Sequence, residues 1–200
     1  MIGIGEIELK LKEILSKDRY LHCLNTQKIA SFLAQHYVVN PHKVRIAALL
    51  HDCAKDLSVD LSKDYIIKYE IVLDEIEKNE SKLWHGPVGA VLANEKFGIA
   101  DKEILRAIRI HSTLDKNPST MEKIVYVSDY MDYRESKEDE KSYERLRNIA
   151  ITELDIVCFW IVNFKILDIL KYRGVIHPRT IEVRNELISN LQDKMKYYDI

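Results

Sequence analysis

Only six glycines and four prolines punctuate this 200-residue chain. A β-sandwich or barrel needs frequent tight turns, and those turns draw on glycine and proline. So sparse a supply favours helices joined by short connections. The capping signals agree. Asn40 and Pro41 open a helix whose apolar face runs through Val44, Ala47 and Ala48 to His51. His85-Gly86-Pro87 opens another that stops at Phe97-Gly98, with glycine in its usual terminating place. Asp101 can cap a helix running to His111, and Ser119 with Glu122 forms a capping-box pattern for a helix through Asp129 to about Tyr133. Helices are further expected over about 7–16, 19–37 and 62–69, with a short one near 73–77. The charged stretch from 135 to 147 reads as an exposed loop or a solvated helix start. Long helices near 143–172 and 179–195 complete an all-α bundle. Repeats, low-complexity tracts and flexible linkers are missing from the sequence, so residues 1–200 are expected to form a single domain.

Composition narrows the function classes. A net charge of −2 gives no general nucleic-acid footprint, so any phosphate site has to be local. Cys23, Cys53 and Cys158 are odd in number and widely spaced, which fits neither a zinc knuckle nor a disulfide framework and suits a reducing cytoplasm. The N-terminal stretch carries acids where a signal peptide needs an unbroken apolar core. The most apolar run, 154–170, is interrupted by Asp155, Lys165 and Asp168, so it is expected to be a buried or homodimer-forming helix rather than a membrane span.

Against this background the chain places His22, the pair His51-Asp52, His85, His111 and Asp129 on successive helices. Singly, each has an ordinary explanation: a satisfied core histidine, a helix cap, a helix end. Asp52 and Asp129 are harder to dismiss, because a carboxylate in apolar company costs several kcal/mol unless it finds a cation, donors or water. His36, His42 and His177 lack such a setting and are expected on the surface or in loops. Jointly the six residues point to metal, since a bundle can converge the inner faces of several helices on one centre. Asp52 has two oxygens and is the natural bridge between two divalent ions. His22, His51 and Asp129 would complete one site, and His85 with His111 the other. Mixed nitrogen and oxygen ligands without thiolate suit iron, manganese or zinc. Such a pair lowers the pKa of a bridging water and clamps phosphoryl oxygens during an in-line displacement. Arg19, Lys55, Arg109 and Arg134 lie near these ligands in sequence and suit phosphate recognition, while Thr113 offers a hydroxyl.

The segments Arg19-Tyr-Leu-His22, Ala48-Leu-Leu-His51-Asp52-Cys-Ala-Lys55, His85-Gly-Pro-Val-Gly-Ala90, Ile108-Arg-Ile-His111-Ser-Thr113 and Ile124-Val-Tyr-Val-Ser-Asp129-Tyr-Met-Asp-Tyr-Arg134 occur here in order. This series resembles the HD-domain metal-dependent phosphohydrolases, and more narrowly the YqeK family of symmetrical diadenosine tetraphosphate hydrolases. The resemblance covers an HD core of about 19–134, with C-terminal helices following at about 143–195. It implies an HD-type helical bundle with two metal ions, iron first among them, that cleaves diadenosine tetraphosphate to two ADP by attack of metal-activated water on phosphorus. It assigns His22, His51, Asp52, His85, His111 and Asp129 to the metals. Asp52, Lys55 and Thr113 become candidate catalytic residues, and Arg19, Lys55, Arg109, Thr113 and Arg134 candidate substrate contacts. The chain departs from the family pattern at Ser112-Thr113-Leu114, where Thr-Thr-Gly is usual, and at Ser128 and Asp132, where alanine and glutamate are common. The first departure bears on the loop after His111 and hence on substrate preference. Two alternatives stand beside this reading. One is an HD phosphohydrolase for another nucleotide (a nucleoside monophosphate, a dNTP or a cyclic nucleotide). The other is a catalytically silent, nucleotide-sensing interaction protein.

Overall fold

The computed structural model describes residues 3–135, 140–191 and 194, with residues 134, 135, 140 and 142 described in backbone only. Among the described residues there is no strand. The chain forms α1 (Ile4–Ile14), α2 (Lys17–Ala34), α3 (Pro41–Leu50), α4 (Val59–Lys68), α5 (Glu75–Asn79), α6 (His85–Phe97), α7 (Lys102–Ile110), α8 (Thr120–Glu135), α9 (Glu140–Thr152), α10 (Leu154–Lys171) and α11 (Pro178–Leu191). The all-α expectation holds.

Local chemistry explains the boundaries that matter for the site. The Asn40 side chain accepts from the backbone N–H groups of His42 and Lys43 at 3.0 and 3.2 Å, and so starts α3. Gly98, at φ 65°, ends α6. The Asp101 side chain accepts from Glu103 N and Ile104 N to start α7. Ser119 and Glu122 form the reciprocal pair of a capping box: Glu122 Oε2 accepts from Ser119 N at 2.7 Å, and Ser119 Oγ from Glu122 N at 3.3 Å.

α3 lies at the centre and packs against α2, α7 and α8, while α6 covers α7 and α10 covers α8. Ile46, Leu49 and Leu50 of α3, Leu33 of α2, Ile104 and Ile108 of α7 and Tyr126 of α8 are fully buried there. Each such side chain contributes about 1.5–3 kcal/mol of transfer free energy. This packing holds α2, α3, α7 and α8 so that their ends meet at one place.

Two expectations are corrected. The helix expected over 143–172 is two helices, α9 and α10, broken at Glu153 (φ −134°, ψ 61°). Neither glycine nor proline marks the break. The β-branched residues Ile149, Ile151 and Thr152 weaken the helix just before it, and the turn lets Leu154 to Val162 bury against the core. Beyond Val162 α10 emerges, and Leu167 and Leu170 are exposed, so the apolar run is buried only in its first half. His177 is also buried rather than on the surface. Its Nε2 lies 2.8 Å from Asp74 Oδ2, and Arg179 donates to Asp74 and Glu77, clasping the start of α11 to α5. His36 and His42 are exposed as expected. Among the described residues no helix is long and apolar enough to cross a membrane.

Candidate metal centre

His51 and His111 occupy equivalent positions, each the C-terminal cap of its helix, α3 and α7. The last carbonyls of a helix lack intrahelical donors, and both rings use one. His51 Nδ1 donates to Ala48 O and His111 Nδ1 to Ile108 O, each at 2.7 Å. His85, at the start of α6, repeats the device by donating from Nδ1 to Lys82 O at 2.7 Å. A carbonyl can only accept, so in these three rings the proton sits on Nδ1. His22 on α2 turns its Nδ1 to Asp132 Oδ2 on α8, at 2.6 Å. All four outer nitrogens are thereby engaged, and all four Nε2 atoms point inward.

The inner nitrogens meet in two pairs. His22 Nε2 lies 3.0 Å from His51 Nε2, and His85 Nε2 lies 3.2 Å from His111 Nε2. Asp52 stands between the pairs. Its Oδ1 faces the second, 3.6 Å from His85 and 3.4 Å from His111. Its Oδ2 faces the first, 3.9 Å from His22 and 3.7 Å from His51. Asp129 Oδ1 closes the first group at 3.1 Å from His22 and 3.6 Å from His51. Candidate ligand atoms thus cluster as His22–His51–Asp129 and as His51–Asp52–His111.

Electrostatics here is that of a cavity built around positive charge. Asp52 Oδ1 is buried without a hydrogen-bond partner, a costly state for a carboxylate oxygen. Burial pushes the Asp52 carboxyl up, yet His51, His111 and Lys55 hold it well below the usual carboxylate range. Asp129 is likewise held down by His22 and His51 against the effect of burial. Burial lowers His22 too, but the hydrogen bonds its ring donates to Asp129 and Asp132 outweigh it and raise the ring to about 9, so a proton occupies the His22 side of the cluster. His85 and His111 are depressed, chiefly by burial, and stay neutral. With a proton on His22 the first pair can share a hydrogen bond, but the neutral His85 and His111 set two Nε2 lone pairs 3.2 Å apart, an opposition that a cation between or beside them relieves. The donor set, imidazole nitrogen and carboxylate oxygen without thiolate, fits a divalent transition metal.

The remaining expected residues divide. Arg19 Nη1 donates to Asp52 Oδ2 at 2.5 Å, and the Lys55 ammonium lies 3.0 Å from His85 Nε2. Both line an open pocket of about 510 Å³ over the cluster. Arg109 is turned away: its guanidinium donates to Val72 O and Glu77, tying α7 to the segment before α6. Thr113 donates to Leu114 O at 2.9 Å and does not line the pocket; its neighbour Ser112 does, with Oγ 2.9 Å from His85 Nε2. Leu114, where the family favours glycine, adopts φ 56° and is fully buried, so the tight turn survives with leucine in it. The Arg134 side chain lies outside the described residues.

Asp132 and Lys165 reach the pocket without having been singled out as site residues in the sequence. Asp132 orients His22, and its i+3 spacing from Asp129 was the available signal. Lys165 of α10 lines the pocket as well. The charge it places inside an apolar run is the same kind of signal that singled out Asp52.

A model of the HD domain matches residues 19–134, which carry every ligand candidate. The chain belongs to the HD-domain family. Within it the likeness is to the YqeK group. The symmetrical bis(5'-nucleosyl)-tetraphosphatase of Bacillus subtilis strain 168 is 29% identical, over 90% of this chain and 94% of that protein. Its namesake in Staphylococcus aureus strain NCTC 8325 is 31% identical, over 92% and 94%. A solved structure from Clostridium acetobutylicum, described as a predicted HD superfamily hydrolase involved in NAD metabolism, is 33% identical. It superposes with a TM-score of 0.86, covering 95% of this chain and 99% of that one. The matched residues take in α3, α6 and α7 whole and nearly all of α2 and α8, the helices that carry the cluster.

Proposed function

We propose that this chain is a metal-dependent hydrolase of dinucleoside polyphosphates that cleaves diadenosine tetraphosphate symmetrically to two ADP. The observation that carries the reading is the inward convergence of four Nε2 atoms on Asp52, whose two oxygens face different histidine pairs. Relatives spanning nearly the full chain bear the name of that activity. His22, His51 and Asp129 would hold one divalent ion and His85 with His111 the second, Asp52 serving both; iron is the first candidate, with manganese or zinc able to use the same donors. When bound, such ions supply an acidified water and neutralise phosphoryl charge.

The chain's own groups supply the rest. Arg19 and Lys55 face the pocket beside Asp52 and His85, where a phosphate oxygen can accept from them. Arg19 also fixes the Asp52 carboxylate, so one side chain positions both the ligand and the substrate. The water oxygen enters at one of the two central phosphorus atoms, and the bond to the bridging oxygen between them breaks. The departing ADP is a phosphate whose last pKa is about 6, so it leaves without a strong general acid. Residence in the cytoplasm belongs to the same reading, as does a homodimer contact through the exposed distal half of α10. Light scattering tests the dimer.

The deciding experiment uses protein purified without a chelating tag and loaded in turn with iron(II), manganese(II) and zinc(II). ADP as sole product from diadenosine tetraphosphate is expected with at least one metal. In ¹⁸O-water, one of each two ADP molecules should carry the label on its terminal phosphate. AMP with ATP, or turnover of a different nucleotide alone, overturns the assignment.

A further inference from the structure

The α10 helix lies outside the 19–134 core yet sends Lys165 and Asp168 into the pocket. Lys165 is half-buried. Its ammonium donates to Ser112 O at 3.4 Å and stands 4.2 Å above the centre of the Tyr126 ring. Among the described residues no carboxylate lies within ion-pair distance of it. Asp129, the pocket acid that acts on it most strongly, is already engaged by His22 and His51. A long side chain held over an aromatic ring with one weak acceptor is a cation short of a partner.

The charge balance of the pocket says what the partner is. Its lining sets Arg19, Lys55 and Lys165 against Asp52, Asp129, Asp132 and Asp168, which nearly cancel. Divalent ions on the histidine cluster would turn that balance strongly positive. Asp129 and Asp52 would then be spoken for and Asp132 is held by His22, so of the pocket's acids Asp168 alone would stand against Arg19, Lys55, Lys165 and the ions. The chemistry that relieves this is a polyanion long enough to reach from the histidine cluster to α10. From this geometry we infer that Lys165 seats a non-reacting phosphate of the substrate chain, which makes α10 the element that selects polyphosphates over single phosphates.

The inference rests on the proposed phosphohydrolase reading of the same site, but its test does not need turnover of one named nucleotide. Inorganic tripolyphosphate is the probe, titrated calorimetrically into metal-loaded wild type, Lys165→Met and Lys165→Arg, with metal content assayed before and after. Methionine keeps the stem and removes the charge; arginine restores it. Lys165→Met should bind tripolyphosphate at least about tenfold more weakly at unchanged metal content, the loss expected for one charged hydrogen bond. Lys165→Arg should recover most of the affinity. Inorganic monophosphate, too short to span the two places, should bind wild type and Lys165→Met alike. Equal tripolyphosphate affinity in wild type and Lys165→Met overturns the inference, as does wild type that fails to bind the probe. If the protein binds the probe through Lys165 yet yields no ADP from diadenosine tetraphosphate, the phosphate seat stands and the substrate assignment alone falls.

Discussion

Asp132 shows how a residue outside a candidate ligand set can orient it. Its carboxylate takes the Nδ1 proton of His22 and aims Nε2 at His51 and Asp129. Groups in this position tune ligand basicity and orientation, and their loss costs about 10–100-fold in metal affinity or activity. Asp132→Asn should therefore retain the fold, by circular dichroism, while its metal dissociation constant rises within that range. An unchanged constant would leave His22 oriented by packing alone. The same ring sets a pH dependence. In the chelated protein His22 titrates near 9, above its ordinary value of 6.5. A raised pKa contributes stability that is complete below pH 6.5 and is lost as pH climbs through 9. Denaturation midpoints of the chelated wild type should fall across that window, and those of His22→Asn should fall less. Metal takes only the deprotonated ring, so its uptake near neutral pH should release protons, measurable in buffers of different ionisation enthalpy. At this scale the sequence was most legible for residues whose burial would be costly: Asp52 and Asp129 drew notice because carboxylates rarely sit among valine, leucine and methionine. Lys165 carried the same signal but lies far along the chain, and only the packing of α10 on α8 brings it to the pocket.

The approach of α6 to α7 shows a second kind of control, exercised by backbone. A Cβ on Gly86 would lie 2.4 Å from Arg109 O, a carbonyl of the facing helix that cannot swing aside. Gly86 thus lets the two helices close until His85 and His111 bring their Nε2 atoms to 3.2 Å. Gly86→Ala should push the helices apart, destabilise the protein by about 1–3 kcal/mol, the usual cost of overpacking, and weaken metal retention at the His85–His111 side more than at the His22–His51 side. Metal stoichiometry against urea midpoint checks this: a loss of stability with both metals retained in full would place the strain elsewhere. Helix starts were readable at Asn40, Asp101 and Ser119, where a side chain caps them, whereas the Ser58 and Asp74 caps of α4 and α5 went unread, those starts being expected near 62 and 73. The break at Glu153 was not readable either, because it arises from the demand of α10 for the core and has no turn residue to announce it. Arg109 misled for a related reason. Its neighbourhood to His111 in sequence suggested phosphate, whereas the helix turns it toward Glu77.

Over the whole molecule, the cluster ties together helices distant in sequence, from α2 to α8, and α10 closes over α8 with Leu154, Val157 and Ile161 in one continuous core. Among the described residues α10 shares this core with α8 of the 19–134 segment, so the chain should unfold in a single transition. A metal held by the cluster residues would bind only the folded arrangement, since the unfolded chain scatters them. A ligand present at about 100 times its dissociation constant adds about 2.7 kcal/mol. For a domain near this size, each kcal/mol moves the melting temperature by about 2–4 °C. Chelation should therefore lower the melting temperature by roughly 5–10 °C while the transition remains single, followed by calorimetry at matched protein concentration. Two separated transitions would mean that α9 to α11 form an independent unit. A single transition indifferent to chelation would mean that the histidines and aspartates hold their places without a cation, which the partnerless Oδ1 of Asp52 argues against.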